Sequence, residues 1–313
     1  MRWDDFRRSD NIEDDRDAGG FSGGGFGSGG FGFPMGGGGL GIGSIVVIFV
    51  VGWALGIDPS VLLGSAELVR GGGGYQQPYQ PVPRSQRSGT PSDATGQFVA
   101  AVLGNTEDTW GDIFQQMNRQ YVPPHLRMFR DSDQGGCGFA KAATGPFYCP
   151  TDRRIYLDTS FFSQIETRFH GCAGNACKFS QAYVIAHEVG HHVQNLLGTL
   201  PKAEAAQQAQ LATGSKAGAN RIQVRVELQA DCYAGIWANH SEARKQFLDP
   251  GDIDAALQTA SAIGDDTLQK EMQGRVVPDA FTHGTAEQRK RWFTTGFTQG
   301  KLSACDTFAA AAL

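Results

Sequence analysis

An uncharged apolar run near the N-terminus divides this chain into a low-complexity N-terminal part and a longer C-terminal part that can fold into a domain. Residues 40–57 are 18 consecutive residues without a charge, close to the shortest length that crosses a bilayer as a helix. A Gly/Phe-rich tract precedes the run, since 15 of the 43 glycines fall within residues 19–43. The composition predicts a disordered tail over 1–39, a transmembrane helix over 40–57, a Gly/Pro-rich linker over 58–93 and a folded domain over 94–313.

Two other interpretations of the apolar run are weaker. A cleaved signal peptide would carry its apolar core close to the N-terminus beside a basic segment, and this run begins far from Met1. A buried core helix is disfavoured because low-complexity segments flank the run on both sides. Trp53 near its end is typical of an interfacial anchor, and the arginines that precede the run predict a cytoplasmic N-terminus.

All six cysteines lie in the predicted domain, at positions 137, 149, 172, 177, 232 and 305. An even number fits three disulfides in an oxidising compartment, which would place the domain outside the cytoplasm. Local loops would join Cys137 to Cys149 and Cys172 to Cys177, and would leave Cys232 for Cys305. Reduced, buried thiols are the alternative, and a structural zinc cluster is disfavoured because no Cys-x-x-Cys pair occurs.

The spacing of apolar residues predicts a mainly α domain with a small β element, an α+β fold. Helices are predicted over residues 96–119, 160–170, 180–197, 203–213, 219–240, 252–263, 267–273 and 284–297. Short strands are predicted at 147–148 and 154–157. The net charge of -5, the pI of about 5.8 and the absence of a dense basic cluster exclude a nucleic-acid-binding surface of the usual kind.

The segment His187-Glu188-Val189-Gly190-His191 carries the strongest chemical signal. Residues four apart share one helix face, so both imidazoles can reach a single metal ion. Ser180 is placed to cap the start of this helix, and Gly198 is placed to end it. Glu188 stands where a general base is needed to take a proton from the attacking water. The motif predicts a zinc site for peptide hydrolysis.

A second pair of polar residues lies downstream on another predicted helix. Catalytic zinc needs a third protein ligand and keeps a fourth position open. Glu227 is the natural third ligand, and Asp231, four residues on, can accept a hydrogen bond from the second ring nitrogen of a zinc histidine, predicted to be His187. A solvated helix face is the alternative, and the apolar neighbours of the pair argue against it.

The remaining histidines are weaker candidates. His192 points about 100° away from its neighbour on a helix, so it is interpreted as structural. The histidines at 125, 170 and 240 have no ligand-like partner. His283 and Arg289 could stabilise the oxyanion that forms at the scissile carbonyl, but a helix cap and a surface arginine explain the spacing equally well.

These residues together resemble the bacterial neutral zinc metallopeptidase family and, more distantly, the gluzincins. The segments that carry the resemblance are residues 145–150, 155–158, 186–193, 227–237 and 283–289. The resemblance implies a zincin-like metallopeptidase domain behind a single N-terminal transmembrane helix, with one zinc ion (Zn²⁺) per chain. The zinc ligands that it implies are His187, His191 and Glu227.

The same resemblance implies roles for residues around the metal. It makes Glu188 the base, gives Asp231 a supporting position, and raises His283 and Arg289 as transition-state stabilisers. It also implies that residues 155–158 form the edge strand that receives an extended peptide.

The predicted function is that of a membrane-anchored zinc endopeptidase. Its catalytic domain would lie on the outer side of the bacterial cytoplasmic membrane and would act on a peptide or protein substrate. The alternative is an envelope scaffold that keeps the zinc fold without turnover, and the intact Glu188 argues against it. The sequence leaves the substrate and the oligomeric state open.

Overall fold

The computed structural model describes residues 1–16, 91–130, 132–141, 145–167, 172–267 and 276–313. The helices in these ranges are α1 Ala94–Gln116, α2 Ser160–Thr167, α3 Cys177–Leu197, α4 Thr199–Ala212, α5 Lys216–Lys245, α6 Asp252–Ala262 and α7 Ala286–Gln299. The strands are β1 Ile12–Asp14, β2 His125–Phe129, β3 Ser132–Gly135, β4 Gly138–Lys141, β5 Phe147–Cys149 and β6 Arg154–Asp158. The described part is therefore mainly helical with a small sheet, as predicted.

The main sheet has the strand order β1-β2-β6-β5. The first three strands are parallel, and β5 is antiparallel to β6. The expectation that residues 155–158 form an edge strand is wrong, because β6 lies between β2 and β5 and both of its sides are hydrogen-bonded. Strand β5 is the edge on that side, and β3 pairs with β4 in a separate hairpin.

The N-terminal residues differ most from expectation. Residues 1–16 were predicted to be part of a disordered tail, but they belong to the same compact unit as the described residues from 91 onward. Strand β1 pairs in parallel with β2, and Ile12 aligns with Leu126. Met1, Phe6 and Ile12 are buried against the core. The polar composition concealed this because few apolar side chains do the packing.

Buried charge pairs and one close backbone contact hold this N-terminal segment. Arg127 on β2 pairs with Glu13, which belongs to β1, and with Asp15, which directly follows β1. The backbone of Arg7 packs on α1 at Gly104, where an added Cβ would lie 2.2 Å from the Arg7 carbonyl oxygen. Gly104 is therefore needed for the close approach and not for helix formation.

Helices α3 and α5 form the centre of the domain. Phe179 on α3 stacks on Trp237 of α5 with 6.0 Å between the ring centroids, and both rings are fully buried. The Trp237 indole donates to Asn105 on α1 at 2.7 Å. Helix α7 packs along α5 on another side. These contacts fix the two helices that carry the predicted metal ligands.

The cysteines form the three predicted disulfides, 137–149, 172–177 and 232–305, and no cysteine is free. The predicted transmembrane helix over 40–57, the predicted linker over 58–93 except its last three residues, and most of the predicted helix over 267–273 lie outside the described residues. Within the described ranges, no helix has both the length and the apolar character needed to cross a bilayer.

Candidate metal centre

Helix α3 carries both histidines of the first motif. It starts at Cys177, earlier than predicted, and Ser180 is buried inside the helix instead of capping it. The predicted end is confirmed: Gly198 adopts φ 81° and its NH donates to carbonyl groups of the last turn, a left-handed cap that favours glycine. Gly190, between the histidines, faces α5, where an added Cβ would lie 2.9 Å from the Ala230 carbonyl oxygen.

The close approach of α3 and α5 brings three donor atoms together. Atoms of His187, His191 and Glu227 all lie within 4.8 Å of one another. Glu227 Oε2 is 3.2 Å from Nε2 of His187 and 3.4 Å from Nε2 of His191. The two imidazole rings are nearly perpendicular, with centroids 4.8 Å apart. The structure thus brings together the three candidate ligands that the sequence predicted, two from α3 and one from α5.

The donor set fits zinc. Zinc binds histidine nitrogen and carboxylate oxygen at roughly 2.0–2.2 Å with tetrahedral angles, so adjacent ligand atoms should lie about 3.3 Å apart. The measured separations of 3.2 and 3.4 Å match this value. Both Nε2 atoms face the same carboxylate oxygen, and His187 and Glu227 are buried. Two imidazoles and one carboxylate also leave a fourth position for water or substrate.

Asp231 holds the first histidine in position, as predicted. Its Oδ1 is 2.8 Å from Nδ1 of His187, which leaves Nε2 of that ring facing Glu227. The same carboxylate accepts from the Tyr183 hydroxyl at 2.6 Å and from Arg289 through Nε and Nη2. Burial raises the pKa of Asp231, but Arg289 and His187 lower it by more, so it stays ionised.

Burial and neighbouring charges shift the pKa values of the candidate ligands in opposite directions. Burial lowers the pKa of His187, yet the Asp231 carboxylate, together with Glu227 and Glu188, raises it to about 10. Burial raises the pKa of Glu227, and the two imidazoles bring it well below its usual range. These shifts describe a carboxylate paired with two protonated imidazoles, so a metal ion that binds here would displace the imidazole protons.

Glu188 directly follows the first ligand, His187, on α3. It is 6% exposed, and α3 packs against β5 at this part of the domain. Burial raises the pKa of the Glu188 carboxyl, His187 and His191 oppose the rise, and the net shift is upward. A carboxylate with a raised pKa beside a metal site suits a proton acceptor.

The structure separates the two late candidates, His283 and Arg289. His283 precedes α7, its side chain is 51% exposed, and its Nδ1 is 3.4 Å from Asp265. Burial lowers the pKa of His283, and the hydrogen bond to Asp265 and the charge of Glu227 raise it by more. The loop that carries His283 packs against α5, where a Cβ added at Gly284 would lie 3.2 Å from Leu228 Cδ2. Arg289 is 3% exposed and is bound to Asp231 and Tyr183. Its guanidinium therefore contacts the site through Asp231, the residue that positions His187.

His192 has the structural role that the sequence indicated. Its Nε2 donates to the Val122 carbonyl at 2.7 Å, so its Nδ1 accepts from the Tyr148 hydroxyl at 3.0 Å. Asn195 also donates to that hydroxyl at 2.9 Å. Burial lowers the pKa of His192 to about 4, so the ring is neutral. These contacts clamp the edge strand β5 onto α3 beside Glu188.

Sequence reasoning missed two residues of the site. Tyr183 lies four residues before His187, so helical spacing could have placed it beside the first ligand. Gln194 lies three residues after His191, and its side-chain oxygen is 2.9 Å from Nδ1 of that ring. Both side chains are fully buried. The i+3 and i+4 positions around each ligand were the available signal.

A His-Glu-x-x-His helix therefore faces a Glu-x-x-x-Asp helix, with one carboxylate between two imidazoles, and the three groups could hold a metal ion. The family model described as "Putative neutral zinc metallopeptidase" matches residues 1–308. The chain belongs to this family. The match includes residues 1–16, of which Ile12–Asp14 pair with β2 in the sheet.

Similar proteins are known in two groups of bacteria. "Uncharacterized protein YpfJ" of Escherichia coli K12 is 44% identical over 311 residues, which cover 98% of this chain and 99% of that protein. "Uncharacterized protein Rv2575" of Mycobacterium tuberculosis H37Rv is 43% identical over 236 residues, which cover 72% of this chain and 75% of that protein. No solved structure matches this chain significantly.

Proposed function

We propose that this protein is a zinc-dependent endopeptidase. The observation that carries the proposal is that the ligand atoms of His187, His191 and Glu227 lie within 4.8 Å of one another, with the buried carboxyl of Glu188 next to the first ligand in the chain. When bound, zinc would polarise the peptide carbonyl and make water more acidic. His187, His191 and Glu227 would hold it, and Glu188 would accept the proton of the attacking water and pass it to the leaving amine.

The edge strand β5 supports a peptide substrate. Among the described residues no strand pairs with the outer side of β5. Strand β5 packs against α3, the helix that carries the proposed base Glu188. An extended peptide added along a free strand edge gains main-chain hydrogen bonds whatever its side chains are. This surface favours a protein or peptide chain as substrate, lying along β5 with its scissile bond near Glu188.

The two late residues take different roles in this proposal. His283, whose side chain is half exposed in a loop packed against α5, would donate to the oxyanion as the carbonyl carbon becomes tetrahedral. Arg289 would act indirectly, because its guanidinium is committed to Asp231 and Tyr183. It keeps Asp231 ionised and aligned, and Asp231 in turn orients His187.

We further propose that the enzyme acts at the outer side of the bacterial cytoplasmic membrane, attached through residues 40–57. The three disulfides support an oxidising compartment. The pairing of β1 with β2 adds a condition: residues 1–16 and the domain lie on the same side while this fold is intact. A single crossing by residues 40–57 would separate them and requires β1 to leave the sheet.

The test uses the full chain, because a fragment from residue 94 lacks β1. Metal content and hydrolysis of unfolded casein are measured for the parent, for Glu188→Gln and for Glu204→Gln, a control on the exposed face of α4. We expect one zinc in each protein and loss of hydrolysis only in E188Q. A zinc-loaded parent that cleaves nothing under any condition, or an E188Q variant as active as the parent, would refute the peptidase proposal and favour the scaffold alternative.

A further inference from the structure

We infer that Gln194 is the positioning residue for the second zinc histidine, His191, and that it sets the metal affinity of the site. The inference rests on the proposed metal centre. It concerns a residue outside both sequence motifs, and Gln194 plays for His191 the part that Asp231 plays for His187. Its side chain is fully buried on α3, between His191 and α5.

The contacts of Gln194 determine which way its amide faces. Its Nε2 lies 2.8 Å from the carbonyl oxygen of Val226, which can only accept a hydrogen bond. The same Nε2 lies 3.0 Å from the side-chain oxygen of Gln229. Both amide hydrogens are therefore donated to α5. The Gln194 side-chain oxygen is left to accept, and it lies 2.9 Å from Nδ1 of His191.

This orientation selects the tautomer of the ligand. An acceptor at Nδ1 requires the proton of neutral His191 to be on that nitrogen. The lone pair is then on Nε2, the atom that lies 3.4 Å from Glu227 Oε2 and faces the metal position. A metal-ligating histidine depends on such a partner for its ring orientation and its basicity. Gln194 thus fixes the ring orientation of His191, and the tautomer of its neutral form, in the absence of the metal.

A second amide anchors the first. The Gln229 Nε2 donates to the main-chain oxygen of Cys305 at 2.9 Å, so its side-chain oxygen must face Gln194. Cys305 is tied to Cys232 on α5 by a disulfide. Thr307, two residues on, donates to the Arg225 carbonyl at 2.6 Å. The C-terminal segment therefore fixes Gln229, which fixes Gln194.

The test replaces the amide without changing the length of the side chain. Gln194→Met in the full chain removes the acceptor at His191, and we expect the zinc affinity, measured by chelator competition, to fall about 10- to 100-fold. We expect the Nδ1–H of zinc-bound His191, followed by NMR, to exchange faster with solvent. Asn105→Leu is the matched control: it removes an equally buried amide that binds Trp237 and Ser241, and its zinc affinity should stay within about twofold.

Each outcome decides the question. A folded Q194M variant that binds zinc within twofold of the parent, with unchanged exchange of the His191 ring proton, would overturn the inference. If Q194M does not fold, Gln229→Met decides instead. It leaves the Val226 and His191 contacts of Gln194 in place, so we expect a smaller loss of affinity and a measurable increase in exchange, and no change in either would refute the idea. A parent that binds no zinc would refute the proposed metal centre itself.

Discussion

Removal of residues 1–16 should destabilise the domain by an amount comparable to its whole stability. Met1, Phe6 and Ile12 are 9%, 4% and 1% exposed, and burial of one such side chain contributes about 1.5–3 kcal/mol. Together they contribute roughly 5–9 kcal/mol, whereas a typical protein has a free energy of unfolding of about 5–15 kcal/mol. Ile12→Ala alone should cost about 2–5 kcal/mol, because it leaves a cavity between β1 and the core.

Urea denaturation followed by tryptophan fluorescence measures this effect in the full chain, in Ile12→Ala and in a fragment of residues 91–313. Asp10→Ala is the control, since Asp10 is exposed beside the same strand. We expect the control to unfold with the parent, I12A to unfold at lower urea, and the fragment to be largely unfolded in buffer. A fragment as stable as the full chain would refute the structural role of β1.

The same strand predicts the topology of the chain in a membrane. Asp10 and Lys301 are exposed, and all six native cysteines are in disulfides, so Asp10→Cys and Lys301→Cys each introduce one reactive thiol. We expect a membrane-impermeant maleimide to label both variants in intact spheroplasts, or neither. Labelling of Lys301→Cys alone would show that residues 40–57 cross once and that β1 is not in the sheet.

Two further predictions concern charged side chains. Burial raises the pKa of Asp14 and Arg16 lowers it by more, while Arg16 also lowers the pKa of Asp93. A carboxyl whose pKa is lower in the folded state than in the unfolded state stabilises the fold above its unfolded-state pKa, and this contribution is lost as the pH falls. The Arg16→Gln variant should therefore unfold at a lower urea concentration than the parent at pH 7, and the difference between the two proteins should be smaller at pH 3. Asp231→Asn should lower zinc affinity about 10- to 100-fold and destabilise the protein because Arg289 loses its buried partner. Chelator competition and thermal unfolding check the second prediction, and unchanged values would contradict it.

The metal centre could be predicted because its geometry is local. His187 and His191 share a helix face whatever surrounds them, and Glu227 and Asp231 do the same on α5. The only long-range inference was that the two helices lie together, and it followed from the need of zinc for a third protein ligand. Predicted helix positions agree for the same reason: the 3.6-residue period of apolar residues is visible within one segment. The disulfides followed because short spacings decided two of the three pairs.

Strand β1 and Gln194 could not be predicted because partners distant in sequence determine their roles. Strand β1 is three residues long and carries two acids, Glu13 and Asp14, so its sequence reads as polar and disordered. Only the pairing with β2, more than a hundred residues away, and the buried Arg127 opposite its acids make it a strand. Gln194 lies three residues after His191, but that spacing alone does not assign its function, because the function depends on an amide oxygen left free after α5 has accepted both amide hydrogens. The parts of this site that the sequence conceals are therefore those that couple the metal ligands to the rest of the fold, and substitutions there should change metal affinity without touching a ligand.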